Sequence, residues 1–508
     1  MLVDMVLPTV MSIIVARVMG PAKLGSFSYV MWLSTTASFL AAAGMAGAGF
    51  KFMAEYAGQR RPDVFRALLR MGLGVQAIAL FVLSLAGMAW ANLALPADER
   101  AFASLAMLAV LPTGLMSMAT AVNNAVQEVR PNVVASISSG LVNAAGLLLV
   151  VLAGWGLVGL AAASLASRTC DCVVRWKLTA ARLPGYLKAM GMDQAASEHR
   201  PTLPRGLGRK FAIFTGESTI LTVLAMVVWN RSEMIFLKRY SAIEQVAYFS
   251  VAFGLSQMPG QIVGPFSRAA GVSVYAERGR DALAGLSAAR LYWRYMVLLV
   301  MPTCLGLAVL SGPLLRVLYG ARYFDAAPVL MLAGSLAMFG PLAAPAIALV
   351  TAAGGQRRVV MAGLVAAAAT LTLDYFLVRG YAALGGALAN GLGQAIWAFA
   401  IMIIARRYSF TIDGGFLLRV VGAAIGMAVL VAAAVYLLPD LAAIAVGPAL
   451  GALAYGGFLH IGRAIDAQDV ERLLKAESLL PRPLRVPFRW LLQAVATSAR
   501  TERLKNGL

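Results

Sequence analysis

The sequence predicts an all-α, polytopic membrane protein of about fourteen transmembrane helices. Runs of about 20 apolar residues recur along the whole 508-residue chain, each long enough to cross ~30 Å of hydrocarbon. Hydrophobic residues make up 60% of the chain and charged residues 13%, with a mean hydropathy of +0.78, more apolar surface than a water-soluble domain can hide. The net charge of +20 is unevenly placed: about 32 of the 43 lysines and arginines fall in the loops and tail of one side. That is the positive-inside bias, so the rich side is expected to be cytoplasmic, together with both chain termini. It explains the basicity without a nucleic-acid partner.

Taken in order, spans are expected near 2–18, 26–50, 70–93, 101–125, 132–153 and 155–176, then near 212–236, 246–268, 292–315, 326–351, 359–378 and 382–405. Two more follow near 416–438 and 441–462. No charged leader region precedes the first span, which therefore reads as a retained helix. Loops on the outer side are short, leaving no room for a folded external domain, whereas those on the basic side are longer. The longest, 177–210, carries Pro184, Pro201 and Pro204 among scattered Arg and Lys and reads as a linker. The expected organisation is a first six-helix lobe (1–176), the linker (177–210), a second lobe (211–406), two additional helices (407–463) and a basic tail (464–508). Ala22 to Val30 resembles Glu244 to Ala252, and Tyr56-Ala57 resembles Tyr275-Ala276, at an offset of about 220 residues, which suggests pseudo-symmetric lobes in parallel repeat. The tail segment from Pro481 to Trp490 mixes Arg with Trp, Phe and Leu, a composition suited to lying on an anionic leaflet or to a solvated tail.

Three cysteines (Cys170, Cys172, Cys304) and two histidines (His199, His460) form no spaced metal motif, and no metal or other cofactor is expected. No Gly-rich loop ending in Gly-Lys-Ser/Thr is present, which argues against ATP hydrolysis by this chain.

Ala16-Arg17-Val18-Met19-Gly20-Pro21, followed by Leu24-Gly25-Ser26-Phe27-Ser28, resembles the opening of the polysaccharide-biosynthesis flippases, the O-antigen and exopolysaccharide (Wzx-type) exporters. These sit within the multidrug/oligosaccharidyl-lipid/polysaccharide exporter superfamily. Phe52-Met53-Ala54-Glu55-Tyr56, Trp229-Asn230-Arg231-Ser232-Glu233 with Val246-Ala247-Tyr248-Phe249-Ser250, and Leu318-Tyr319-Gly320 with Ala326-Ala327-Pro328 continue the likeness over most of the first 400 residues. The resemblance implies a central cavity lined by spans one, two, seven and eight. It also implies a lipid-linked sugar as substrate, membrane lipid as surroundings and polysaccharide polymerases as candidate partners.

Those spans are polar enough for such a cavity. Asn230, Gln257 and Gln261 are candidate sugar contacts, the two glutamines being four apart and so on one helical face, with Pro259 bending the helix between them. Helix–helix hydrogen bonding is the plainer use of the same groups. Arg17, Arg70, Arg231 and Arg268 are candidate phosphate contacts, snorkelling being the alternative for each. Glu217, Glu233 and Asp374 are candidate ion-coupling groups, because a charge within a span costs roughly 3 kcal/mol unless it faces water, a partner or a substrate. Arg231 and Glu233, two apart on a helix, are expected not to pair. The expected function is translocation of a polyprenyl-diphosphate-linked oligosaccharide by alternating access, without catalysis. A drug–cation antiporter of the same superfamily and a membrane polymerase or glycosyltransferase of the same pathway remain alternatives.

Overall fold

Apolar runs of this length leave the backbone no water to bond, so each must satisfy its own amides as a helix. The computed structural model, which describes residues 2–189, 204 and 206–464, is helical throughout, with no strand among those residues. Among the described residues, eleven helical stretches are long and apolar enough to cross a membrane. They contain thirteen of the fourteen expected spans, because Ser12–Gly58 holds spans one and two and Gln356–Arg406 holds spans eleven and twelve. Span eight is cut in two at Gln257.

By packing the chain divides into two compact units, Met1–Met234 and Ile235–Leu508. The expected boundary in 177–210 is therefore not where the packing divides. Residues 177–189 prolong span six as helix, with Pro184 inside it, while 190–203 and 205 lie outside the described residues. The tail expected at 464–508 lies outside them beyond Ala464.

Unit 1 contains α1 (Leu2–Gly58), α2 (Pro62–Ala94), α3 (Ala97–Leu108), α4 (Val110–Ala125), α5 (Arg130–Ala153), α6 (Gly156–Ala189) and α7 (Leu207–Trp229). The kink in α1 falls at Gly20 (φ 75°, ψ 173°). Pro21 cannot donate to the Arg17 carbonyl and excludes helical geometry from the residue before it, and glycine alone takes that dihedral without strain. Likewise α3 and α4 part at Ala109, three residues before Pro112, and α5 ends on the left-handed Gly154. One core gathers Phe52, Met53, Phe65, Leu68, Met118 and Phe211, a second Val30, Phe102 and Met107.

Span seven belongs to unit 1 because α7 lies against α1. At Gly44 the two backbones are so close that an added Cβ would strike the Thr219 hydroxyl and the Thr215 carbonyl. Beside it, a Cβ on Gly47 would sit 3.6 Å from the Ser218 hydroxyl, and Lys51 Nζ lies 4.0 Å from the centre of the Phe214 ring. Small residues that admit a neighbouring backbone are the usual contact between helices in lipid, where no hydrophobic effect drives them together.

Unit 2 contains α9 (Ile243–Ser256), α10 (Met258–Arg280), α11 (Ala282–Val309), α12 (Ser311–Leu318), a 3₁₀ turn (Ala321–Ala326), α13 (Ala327–Leu336) and α14 (Phe339–Ala352). After these come α15 (Gln356–Leu373), a π turn (Asp374–Val378), α16 (Arg379–Arg406), α17 (Gly414–Leu437) and α18 (Asp440–Ile461). The short α8 (Glu233–Tyr240) spans the division between the units. Asp281 and Asp413 cap α11 and α17, accepting from the Leu283 and Ala284 amides and from the Phe416 amide. The core gathers Trp293, Met296, Val300, Leu349, Ile401 and Phe416.

The two additional helices, α17 and α18, are fastened to the rest of unit 2. Arg316 holds Asp440 through two bonds of 2.6 and 2.7 Å. The Tyr455 hydroxyl donates to the Leu298 carbonyl at 3.0 Å, and Arg294 donates to the Ala464 carbonyl at 3.2 Å. Outward, large apolar side chains stand bare, among them Leu93, Leu152 and Leu418 at 86%, 75% and 74% exposure, the inverse of a water-facing surface.

Gly44→Ala is expected to lower stability by about 1–3 kcal/mol, because neither backbone can retreat. Gly216→Ala, where a Cβ meets open space, should leave stability unchanged or slightly higher. Thermal unfolding of the two variants in detergent checks the contrast.

Candidate functional site

Three of the candidate residues of unit 1, Asn230, Arg231 and Glu233, lie at the end of α7. That helix stops at Trp229; Asn230 (φ −130°, ψ 47°) and Arg231 (φ 61°) leave helical geometry, and Glu233 opens α8. The break is built from polar groups. The Trp32 indole N–H donates to the Asn230 carbonyl at 2.9 Å, and the Ser232 hydroxyl donates to the Val227 carbonyl at 3.0 Å. The Met234 amide donates to the Arg231 carbonyl at 3.1 Å. Glu233 is fully buried, in the first turn of α8, where the helix dipole favours an anion. The expectation that Arg231 and Glu233 do not pair assumed a continuous helix, and the left-handed turn at Arg231 removes that premise.

Other candidates in unit 1 are not gathered there. Arg17 is exposed, three residues before the Gly20 kink, and Arg70 is exposed on α2. Glu217 is exposed on α7 beside Ile213, Gly216 and Ile220, while Thr215, Ser218 and Thr219 occupy the side toward α1.

In unit 2 the interruption at Gln257 follows from Pro259, which cannot donate to the Leu255 carbonyl. The Gln261 amide still reaches the Gln257 carbonyl at 3.1 Å, so α10 follows α9 with one rung missing. Gln257 lines a small cavity with Ser256, Asn390, Gln394, Phe249 and Phe253, with room for about one water molecule. Gln394 donates to Asn390 at 2.8 Å within it. Gln261 and Arg268 are exposed and do not line it.

Asp374 is fully buried and opens the π turn. One turn before it is Thr370, also fully buried, whose hydroxyl donates to the Ala366 carbonyl at 2.8 Å. The α16 backbone comes so near that a Cβ on Gly393 would collide with that hydroxyl. Beyond the π turn the chain folds back at Ala382 (φ 49°, ψ −127°), and Gln245 accepts from the Ala383 amide at 3.3 Å. A Cβ on Gly385 would collide with the Leu377 carbonyl. Asp374 thus sits where α15 and α16 touch, beside a reversal in which only short residues fit.

Sequence reasoning missed the densest polar group of unit 1. Asp171 and Arg175, both buried on α6, pair at 2.6 Å. Arg175 also donates to Thr120 and Asn132 at 3.1 Å each and to Ser136 at 3.3 Å, and Ser139 donates to Asp171 at 3.2 Å. Asn123 donates to Asn132 at 2.9 Å and accepts from Thr179 at 3.0 Å. The signal available was the i, i+4 spacing of Asp171 and Arg175, which places them on one face of α6. Gln76 was missed as well: it is fully buried on α2, donating to the Gly114 carbonyl at 2.8 Å and Ser117 at 3.0 Å.

Many helices long and apolar enough to span a membrane, some of them broken at polar positions, define a polytopic membrane fold. The family model described as "Polysaccharide biosynthesis protein" matches residues 1–272, more than half of the chain, and the chain belongs to that family. A second model, "Lipid II flippase MurJ", matches residues 275–451. Among solved structures, the fold is similar to lipid II flippase MurJ in an inward closed conformation, with a TM-score of 0.71 and 13% identity over 90% of this chain and 96% of that one. It is also similar to an inward-facing MATE-family multidrug resistance transporter, with a TM-score of 0.65 and 14% identity over 80% of this chain and 94% of that one. No curated protein matches the chain by sequence.

Arg175→Met is expected to destabilise the protein by about 3–5 kcal/mol, since it strands a buried carboxylate. Adding Asp171→Asn should recover most of that loss. Thermal melts of the single and double variants in detergent give the coupling between the two sites.

Proposed function

We propose that the chain is a flippase that moves a polyprenyl-diphosphate-linked oligosaccharide from the cytoplasmic to the periplasmic leaflet of the bacterial inner membrane, for O-antigen, capsule or exopolysaccharide synthesis. The observation that carries the reading is the break between α7 and α8. It holds a guanidinium, Arg231, next to an exact backbone interruption, in a chain of the polysaccharide biosynthesis family. The likeness to the lipid II flippase fold supports the same substrate class.

The headgroup of such a substrate is a diphosphate, which cannot enter hydrocarbon, joined to a tail that need not leave it. Arg17, Arg70, Arg231 and Arg268 are proposed to hold phosphate oxygens through charge-assisted hydrogen bonds, with Asn230, Gln257 and Gln261 on the sugar hydroxyls. Alternating access then carries the headgroup across, with no covalent chemistry. An inside-negative membrane supplies about 2.3 kcal/mol per charge per 100 mV, hence roughly 4–5 kcal/mol for an uncompensated dianion moving outward. Ion countertransport through Asp374, Glu233 or Glu217 is the proposed alternative drive. Both termini are proposed to be cytoplasmic, which the positive-inside bias supports, and a polysaccharide polymerase is the proposed partner.

A second reading, a drug–cation antiporter, is favoured by the full burial of Glu233 and Asp374, since buried carboxylates suit cationic cargo. The MATE neighbour has the same fold. Accumulation of cationic dye in everted vesicles would support it over the flippase.

Cells lacking the chain are expected to accumulate a lipid-linked sugar in the inner leaflet. Arg231→Ala should fail to relieve this, with at least a tenfold loss of surface polysaccharide, and Arg231→Lys should relieve it in part. Asp374→Asn should flatten the dependence of transport on the pH or sodium gradient. An unchanged dependence would leave the membrane potential as the drive.

A further inference from the structure

The polar network of α6 satisfies one cation with one anion and has nothing left over. Both oxygens of Asp171 are taken, Oδ1 by Arg175 and Oδ2 by Ser139, and Arg175 divides its remaining donors among Thr120, Asn132 and Ser136. Arg168 stands outside this arrangement. It is half-buried, three residues before Asp171, and makes neither a hydrogen bond nor an ion pair with any described residue. The charge of Asp171 acts on it, but that carboxylate is already committed.

Lipid snorkelling does not explain its position. The bare stripe of α6 runs through Ala162, Ala166, Thr169, Val173, Lys177 and Ala180. At about 100° per residue, Arg168 points roughly 130° away from that stripe and about 20° from Arg175. It therefore faces the interior of unit 1, where α3, α4 and α5 pack on α6. It is about 18 Å along the helix from Gly156, well within ~30 Å of hydrocarbon. Two guanidiniums against one carboxylate leave a net positive charge at this depth, on a side chain that is still partly accessible.

We propose that Arg168 is an anion-binding position inside unit 1, and that its ligand is a phosphate oxygen. Two sources carry that chemistry. One is an anionic phospholipid headgroup; the other is the diphosphate of a lipid-linked sugar, an arm that rests on the function proposed above, whereas the phospholipid arm does not. Asp171 and Arg175 position the site: they hold α4, α5 and α6 together while leaving Arg168 its full charge.

The test uses the purified full chain in neutral detergent, with phosphatidylglycerol, phosphatidylcholine and undecaprenyl diphosphate as separate probes and dissociation constants from native mass spectrometry. Wild type should bind at least one of the two anionic probes more tightly than phosphatidylcholine. Arg168→Gln should weaken that binding at least tenfold, Arg168→Lys no more than about threefold, and Arg182→Gln, which removes a half-buried pair with Glu128, not at all. Loss confined to phosphatidylglycerol assigns the site to lipid, and loss confined to undecaprenyl diphosphate assigns it to substrate. Unchanged affinity of Arg168→Gln for both anionic probes overturns the proposal.

Discussion

Inside a bilayer every backbone amide and carbonyl must find its partner within the protein, and the rest of this structure depends on that constraint. It makes helices obligatory, and it makes each interruption of a helix conspicuous, since the freed groups need new partners. The break after Trp229 is closed by the Trp32 indole and the Ser232 hydroxyl. The reversal at Ala382 is closed by Gln245 from another helix. At Gln257 the interruption is kept to a single rung by the Gln261 amide. Asn230, Arg231, Glu233, Gln257 and Asp374 fall at such irregular backbone, whereas Arg17, Arg70 and Glu217 lie on regular helix.

Contacts between helices obey a related rule. Lipid tails are as apolar as leucine, so association comes from close backbone approach and from polar bonds. Gly44 against Thr215 and Thr219 is the first kind, and the Asp171–Arg175 network is the second. One fixes α7 to α1, the other ties α6 to α4 and α5. Together they make unit 1 a body whose membership differs from the division suggested by the linker.

Much of this was legible in the sequence. Spans follow from apolar run length alone, and the interruption of span eight follows from Pro259. The kink at Gly20 is written in Gly20-Pro21, between the spans expected near 2–18 and 26–50. The placement of Arg231 and Glu233 is not legible from helical spacing, because a left-handed turn at Arg231 lies between α7 and α8 and no local residue pattern announces it. The network around Arg175 was invisible for another reason: its partners Thr120, Asn132, Ser136 and Ser139 come from two other helices, and only the fold brings them to one point. Candidates such as Arg17, Arg70, Glu217, Gln261 and Arg268 were correctly seen as polar groups in or beside spans, yet run length says nothing about which way they point.

The final hairpin, α17 with α18, is stitched to α11 and α12 at one end by Arg316 and Asp440, midway by Tyr455, and at the other end by Arg294. Three fastenings spread along its length leave it no independent swing. Whatever tilt unit 2 adopts in the bilayer, the hairpin must adopt too, carrying with it the exposed apolar face of Leu418, Tyr436 and Leu453. The thickness of the surrounding membrane thereby becomes a mechanical load on unit 2, borne through an appendage that contributes none of the candidate binding groups.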